Sequence, residues 1–307
     1  MFKHIPVLLN ECIDGLNIKK EGIYVDMTLG RGGHSSRILK QLTTGHLYCF
    51  DQDGQAIAES RERLSQISSS FTMIHSNFCN VERELTNRLI KQVDGVLFDL
   101  GVSSAQFDEG DRGFSYRFDA RLDMRMNKDN SLSAYDVVNT YTLKDLTRIF
   151  KEYGEEKYSY QIASLIVKRR DIKAIETTFE LVDIIKQALP YKVLNQKGHP
   201  AKQVFQAIRI EVNDELEVLK SALRQALNLL NSGGRICVIT FNSLEDRIVK
   251  NIFKEYTYEG EGSRIIPTSQ REVDYFLVNK KVILPSEKEM EENPRSKSAK
   301  LRIIERK

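Results

Sequence analysis

Four apolar runs punctuate the first hundred residues: Ile23-Tyr-Val-Asp26, Leu47-Tyr-Cys-Phe-Asp51, Phe71-Thr-Met-Ile-His75 and Val96-Leu-Phe-Asp99. Between them, Ser36 to Leu42 and Ala56 to Leu64 carry apolar residues three and four apart, the repeat of a helix that buries one face. Short β-rich runs alternating with such stretches predict βαβ units and a parallel sheet covered on both sides. A fifth run, Ile236-Cys-Val-Ile-Thr-Phe241, follows an amphipathic stretch from about Leu216 to Leu230, whose expected stop is Asn231-Ser-Gly-Gly. Asp274-Tyr-Phe-Leu-Val278 and Leu301-Arg-Ile-Ile304 are expected as strands at the sheet's far edge.

A compact crossover needs a few tens of residues at most, yet roughly 130 separate the fourth run from the fifth. That gap predicts an insertion. Helices are expected within it from about Leu132, Leu143, Tyr158 and Phe179. Thr142 with Asp145 and Thr178 with Leu181 read as helix starts, Gly154 follows one helix, and Pro190 limits another. The expected fold is α/β, with an all-helical subdomain over 109–208 inserted into a sheet domain made of 1–108 and 209–307.

Composition narrows the class. With 41% hydrophobic and 29% charged residues the 307-residue chain has ordinary globular usage, which excludes wholesale disorder. No apolar stretch approaches the roughly 20 residues of a membrane span, and Asn10-Glu11 interrupts the start too early for a signal peptide. A cytoplasmic, membrane-free protein is expected. Cys12, Cys49, Cys79 and Cys237 form no Cys-x-x-Cys pair, and the five histidines fall at no ligand spacing, so no metal is expected.

A net charge of +3 announces no partner by itself. The distribution says more: Lys157 to Lys202 holds nine Lys or Arg against four Asp or Glu, including Lys168-Arg169-Arg170. Pro294-Arg-Ser-Lys-Ser-Ala-Lys-Leu-Arg near the end is also basic. Two readings stand for these segments, solvated surface or phosphate contact.

Ligands of open parallel sheets bind beyond the carboxyl ends of the strands, and three strands here end in an acid: Asp26, Asp51 and Asp99. Gly30-Arg-Gly32-Gly33-His34-Ser35 follows the first, an imperfect G-x-G-x-x-G with Ser35 at the third glycine. Asp51 lies 21 residues after Gly30, where a carboxylate accepts the hydroxyls of an adenosine ribose. An acid at the first strand's end suits a cationic sulfonium, and the missing glycine matters less without a pyrophosphate. The chemistry leans towards methyl transfer.

Asp26-x-Thr28-x-Gly30-Arg-Gly-Gly-His-Ser35, Phe98-Asp-Leu-Gly-Val-Ser-Ser104, Arg112-Gly-Phe-Ser115, Leu122-Asp-Met-Arg-Met126, Gly198-His-Pro-Ala201, Phe205-Gln-Ala-Ile-Arg209 and Ser243-Leu-Glu-Asp-Arg-Ile248 occur in that order. In these the chain resembles the bacterial 16S rRNA (cytosine-N(4)-)-methyltransferase family, from His4 to Arg302. The resemblance implies a class I, Rossmann-like methyltransferase sheet with an inserted helical domain that recognises RNA. It implies S-adenosylmethionine as cofactor and a cytidine in the decoding region of 16S rRNA, within the small ribosomal subunit, as target. The cofactor contacts it implies fall on Gly32, Gly33, His34, Asp51, Phe78, Asp99 and Gln106. Whether the chain forms a homo-oligomer stays open.

For the reaction, an acceptor must hold and polarise the cytosine amino group. Asp99 or the carbonyls after it are the first choices, with Ser103 as helper; the competing reading makes Asp99 a cofactor ligand only. Phe114, Tyr116 and Phe118 alternate with Arg112 and Arg117, and read either as a base-stacking platform or as a hairpin buried on the insertion. Asp119, Asp123 and Arg125 read the cytosine edge, or Asp123 and Arg125 form a structural pair. Asn242, where the family usually has His, is expected to orient substrate beside Ser243, since an amide takes no proton at neutral pH. A non-catalytic RNA-binding assembly factor of the same fold and a nicotinamide-dependent oxidoreductase are the rival classes.

Overall fold

The computed structural model describes residues 6–101, 110–258 and 273–307. They fall into two compact units, one of residues 6–101, 216–258 and 273–307, the other of 110–215. The second unit runs past the expected 208, because position 209 lies in mid-helix.

The first unit is built on a seven-stranded sheet of order β3-β2-β1-β4-β5-β7-β6. Its strands are β1 (Ile23–Asp26), β2 (His46–Asp51), β3 (Phe71–His75), β4 (Val93–Asp99), β5 (Leu230–Thr240), β6 (Tyr275–Leu277) and β7 (Lys300–Arg306). The first five pair in parallel, while β7 runs antiparallel to both β5 and β6. Helices α1 (Leu9–Leu16), α2 (Gly33–Leu39), α3 (Gly54–Ser65) and α4 (Val81–Thr86) belong to the first half of this unit.

Strand residues are apolar at consecutive positions because both faces are covered. Tyr24, Leu47, Cys49, Leu97 and Cys237 join the core under α1, α2 and α3. Their neighbours Val25, Tyr48, Phe50, Val96, Phe98 and Ile236 point the other way, into the core that includes Val81 and Leu85.

Two sequence expectations for this unit are corrected. The amphipathic helix does stop where expected, at Leu229, but the Asn231-Ser-Gly-Gly run that follows lies inside β5, where pairing with β4 jumps from Val93↔Leu230 to Gly95↔Arg235. Gly233, at φ +72°, permits the irregularity. The final run is no edge strand either: β7 lies between β5 and β6, and only β6 is at the rim. Its basic residues are correspondingly engaged. Arg302 Nε donates to Asp246 Oδ1 at 2.8 Å, Lys300 Nζ lies 3.3 Å from Oδ2, and Arg306 donates to the Leu230 carbonyl.

The second unit is helical: α5 (Ala134–Thr140), α6 (Leu143–Glu152), α7 (Ser159–Arg170), α8 (Thr178–Ala188), α9 (Tyr191–Leu194) and α10 (Lys202–Asn213). Its core gathers Leu146, Ile149, Phe150, Ile162, Ile166, Leu181, Ile185, Val204 and Ile208 from these helices. Ser133, Thr142 and Thr177 cap α5, α6 and α8 by accepting the backbone N–H three residues on. The α8 cap is thus Thr177, one residue before the expected Thr178. Lys168, Arg169 and Arg170 fill the last turn of α7, where cations face the helix's negative end, and Arg170 donates to the Val138 carbonyl. Part of the basic patch therefore serves the fold. Two longer helices then follow in the chain, α11 (Glu215–Leu229) and α12 (Ser243–Thr257), with the short α13 (Glu287–Glu292) before β7.

Candidate active site

The carboxyl ends of β1, β2 and β4 meet around the loop that joins β1 to α2. Asp26, buried at the end of β1, accepts from the Thr28 amide at 3.0 Å and the Ser35 hydroxyl at 2.7 Å. Thr28 Oγ1 in turn accepts from the Asp99 amide at 2.7 Å, tying this loop to β4. Asp51 Oδ2 accepts from the Gly30 amide at 2.9 Å and Oδ1 from the Asp53 amide at 2.9 Å. Asp26 and Asp51 through their carboxylates, and Asp99 through its backbone amide, are thus all bonded to a single loop.

Two glycines of that loop are required by its shape. Gly32 starts α2 in the left-handed region at φ +71°, and a Cβ on Gly33 would collide with the Pro6 ring. His34, buried at the first turn of α2, faces the Val7 carbonyl through Nε2 at 3.0 Å. That bond places the hydrogen on Nε2, so Nδ1 turns towards Asp99 Oδ2, 3.5 Å away.

Burial raises all three acids. Asp51 is pushed up to about 6, its backbone hydrogen bonds opposing the shift. Asp99 is pushed up to about 8 by burial, with the Asp26 and Glu245 carboxylates adding to it. At neutral pH the Asp99 carboxyl accordingly keeps its proton. The Asp99 side chain keeps 24% exposure, so it is reachable from outside.

Glu245 is a site residue that the sequence reading missed. It is buried, and its Oε2 accepts from the Phe241 and Asn242 amides at 2.8 and 3.2 Å. Asn242 returns the favour: Oδ1 accepts from Leu244 and Glu245 amides, completing a capping box at the start of α12. The signal was legible as Asn242-x-x-Glu245. The carbonyl oxygen of Asn242 is engaged in this cap, so a substrate-orienting bond from this side chain falls to its amide nitrogen. Ser243 is the first, exposed residue of the same helix.

Phe78, just past β3, meets Phe98 edge-on at 5.8 Å and packs against the sheet core. Ser103 and Gln106 lie outside the described residues. In the helical unit, Asp123 and Arg125 form a two-pronged pair, Nε to Oδ1 at 3.0 Å and Nη2 to Oδ2 at 2.7 Å. Burial raises the Asp123 carboxyl, but the Arg125 bonds outweigh it and hold the group below its usual range. Arg125 also donates to the Lys128 and Asn130 carbonyls, so the structural reading of this pair is the one observed. Asp119 is exposed and accepts from the Phe179 amide at 3.3 Å. The alternating aromatics part company: Phe114 is buried, Phe118 is exposed at 47%, and Tyr116 stacks on His199. Arg112 is buried and bonds to the Arg125 and Met126 carbonyls. These residues form no hairpin.

Among the described residues no cluster of three or more metal-ligating side chains occurs, and no helix is long and apolar enough to cross a membrane.

A parallel sheet with one antiparallel strand slipped between its fifth strand and its rim, and with acids converging on the first crossover loop, defines a class I methyltransferase. The comparison with known families agrees over residues 1–307: the chain belongs to the MraW methylase family. It is 56% identical over 308 residues to the ribosomal RNA small subunit methyltransferase H of Exiguobacterium sibiricum, covering 100% of this chain and 99% of that one. It is 53% identical to the protein of the same name from Clostridioides difficile, covering 99% of each chain. The Mesoplasma florum protein of that name is 52% identical, with both chains covered completely.

Proposed function

We propose that this chain transfers a methyl group from S-adenosylmethionine to the exocyclic 4-amino group of a cytidine in the decoding region of 16S rRNA, within the small ribosomal subunit. The observation that carries the reading is the convergence of Asp26, Asp51 and Asp99 on one glycine loop. Relatives named for rRNA methylation and matched end to end support the substrate.

The residues fit the cofactor. Burial, then the Asp26 and Glu245 carboxylates, raise the proton affinity of Asp99, which is the environment that a cationic sulfonium relieves and a pyrophosphate worsens. This weighs against the nicotinamide rival. The retained acids and glycine loop weigh against a non-catalytic assembly factor. Asp51 would hold the ribose hydroxyls with the lone pairs its two amide bonds leave. Gly32 and Gly33 would let the backbone approach, and Phe78 would border the adenine. Gln106 completes the set implied by the family. The cofactor supplies an electrophilic methyl group.

The protein's own work is to place the amine and manage its proton. An ionised Asp99 accepts the amino N–H and draws density onto the nitrogen. Before ionisation the protonated carboxyl faces His34 Nδ1, whose ring is held in place by its other nitrogen donating to the Val7 carbonyl. Ser103 is assigned the supporting hydrogen bond. Asp119, exposed on the helical unit, is assigned to the base edge, and that unit to RNA recognition. The cytoplasm, where ribosomes are assembled, is the assigned location.

Undermethylated small subunits incubated with the protein and S-adenosylmethionine, followed by mass spectrometry of the rRNA nucleosides, test this reading. N4-methylcytidine is the expected product. A methyl group on another atom, or none, refutes it.

A further inference from the structure

The helical unit contains a second aromatic and cationic centre, made entirely of its own residues. The Tyr116 and His199 rings lie face to face, 4.1 Å between centroids and 6° from parallel. Phe205 closes on Tyr116 edge-on at 5.8 Å. The two stacked rings line a cavity of about 640 Å³ together with Arg117, Gly198 and Lys202. No carboxylate is among these lining residues, and Arg117 and Lys202 are exposed. Neither enters an ion pair with another described residue.

His199 is set for stacking. Its Nδ1 accepts from the Ala201 amide at 3.2 Å, which puts the ring hydrogen on Nε2. Burial, then the Lys186 and Arg117 charges, lower its proton affinity, so the ring is neutral at physiological pH. Gly198, at φ +111°, has nothing within 4 Å of where a Cβ would sit. The glycine is there for the turn, and the space beside it is open.

Flat rings, one fixed N–H donor and two unpaired cations match one chemical class, a nucleotide with an exposed base face and a phosphate. We propose that this cavity is a subsite for one unpaired nucleotide of the RNA substrate. Its base extends the Tyr116–His199 stack, and its phosphate lies between Arg117 and Lys202. The inference rests on the rRNA reading above and deepens it: the RNA is single-stranded where it crosses this unit.

The test uses the full chain, a fluorescein-labelled single-stranded oligoribonucleotide, and undermethylated small subunits. Tyr116→Ala is expected to weaken oligonucleotide binding roughly tenfold, the usual scale for one lost stacking contact. Because Tyr116 is packed on Phe205, a second variant guards against misfolding. The exposed pair Arg117→Ala with Lys202→Ala is expected to lower the slope of log affinity against log salt by about 0.7 per lost phosphate contact. In methylation assays both variants raise KM for subunits, with S-adenosylmethionine affinity unchanged by calorimetry. A double variant with wild-type affinity and salt slope overturns the proposal. So does a variant that loses folded subunits but keeps the oligonucleotide, which assigns the cavity to a protein partner. An RNA duplex bound with the same dependence on Tyr116 also overturns it. A wild type that binds the oligonucleotide through these residues but methylates no RNA keeps the subsite and refutes the methylation reading instead.

Discussion

Asp99 holds its proton at neutral pH and loses it only near pH 8, because burial and two neighbouring carboxylates oppose the anion. If the anion is the group that accepts from the amine, kcat/KM rises about tenfold per pH unit below 8 and levels off above it. A profile flat from pH 6 to 9 assigns Asp99 to cofactor binding alone. The same shift runs the other way in stability. The folded protein binds a proton that the unfolded chain has released above the usual carboxylate range, so stability falls as pH rises towards 8. Asp99→Asn removes that slope in a denaturant series while lowering turnover by about 10²-fold or more. Asp51 separates from it cleanly. Asp51→Ala deletes an acceptor for two amides and, on the proposed reading, for the ribose. S-adenosylmethionine affinity, by calorimetry, is expected to fall roughly ten- to hundredfold, the scale of a charge-assisted hydrogen bond.

Elements show which sequence signals were unambiguous and which were not. The strands ending in Asp26, Asp51 and Asp99 were legible because apolar runs bounded by an acid and a turn have few other interpretations. The glycine loop was legible through Asp51's spacing. Asn231-Ser-Gly-Gly misled because glycine marks a helix end and a strand irregularity alike, and only pairing with β4 decides. The capping role of Asn242 was hidden for a related reason: an amide that orients a ligand and one that caps a helix look identical in sequence until Glu245 is read with it. Asn242→Ala is expected to cost about 1 kcal/mol of stability by denaturant midpoint, the scale of a lost N-cap. Asn242→Asp keeps the cap, and activity that survives this change shows that the amide takes no part in chemistry. The basic end of the chain misled most, since charge alone does not reveal that Lys300 and Arg302 face Asp246. Removing residues 300–307 takes an interior strand from the sheet and leaves β5 with an unpaired edge. Loss of soluble, folded protein by circular dichroism is expected, whereas a dispensable phosphate-binding tail would leave the fold intact.

The whole molecule carries a net charge of only +3, yet on the proposed function it has to hold one of the most highly charged polymers in the cell. Uniform attraction is therefore too weak, and binding depends on where cations lack protein partners. Several basic residues are already committed: Arg125 to Asp123, Arg209 to Glu215, Arg235 to Glu305, and Arg302 to Asp246. Within the helical unit, Arg117 and Lys202 line the aromatic cavity and are exposed. Each neutralised phosphate releases counterions, so affinity falls with salt in proportion to the number of contacts. With roughly three to five contacts to single-stranded RNA, the slope of log affinity against log salt is expected between about −2 and −3.5, shallower than that of a protein with a fully basic face. On the proposed function S-adenosylmethionine is held instead by buried carboxylates, which salt screens much less. Titrating both ligands from 50 to 300 mM salt should therefore separate them, steep for RNA and nearly flat for the cofactor. Equal slopes would mean that the cofactor is held by exposed charges, and the arrangement of Asp26, Asp51 and Asp99 around the glycine loop would then have no part in holding it.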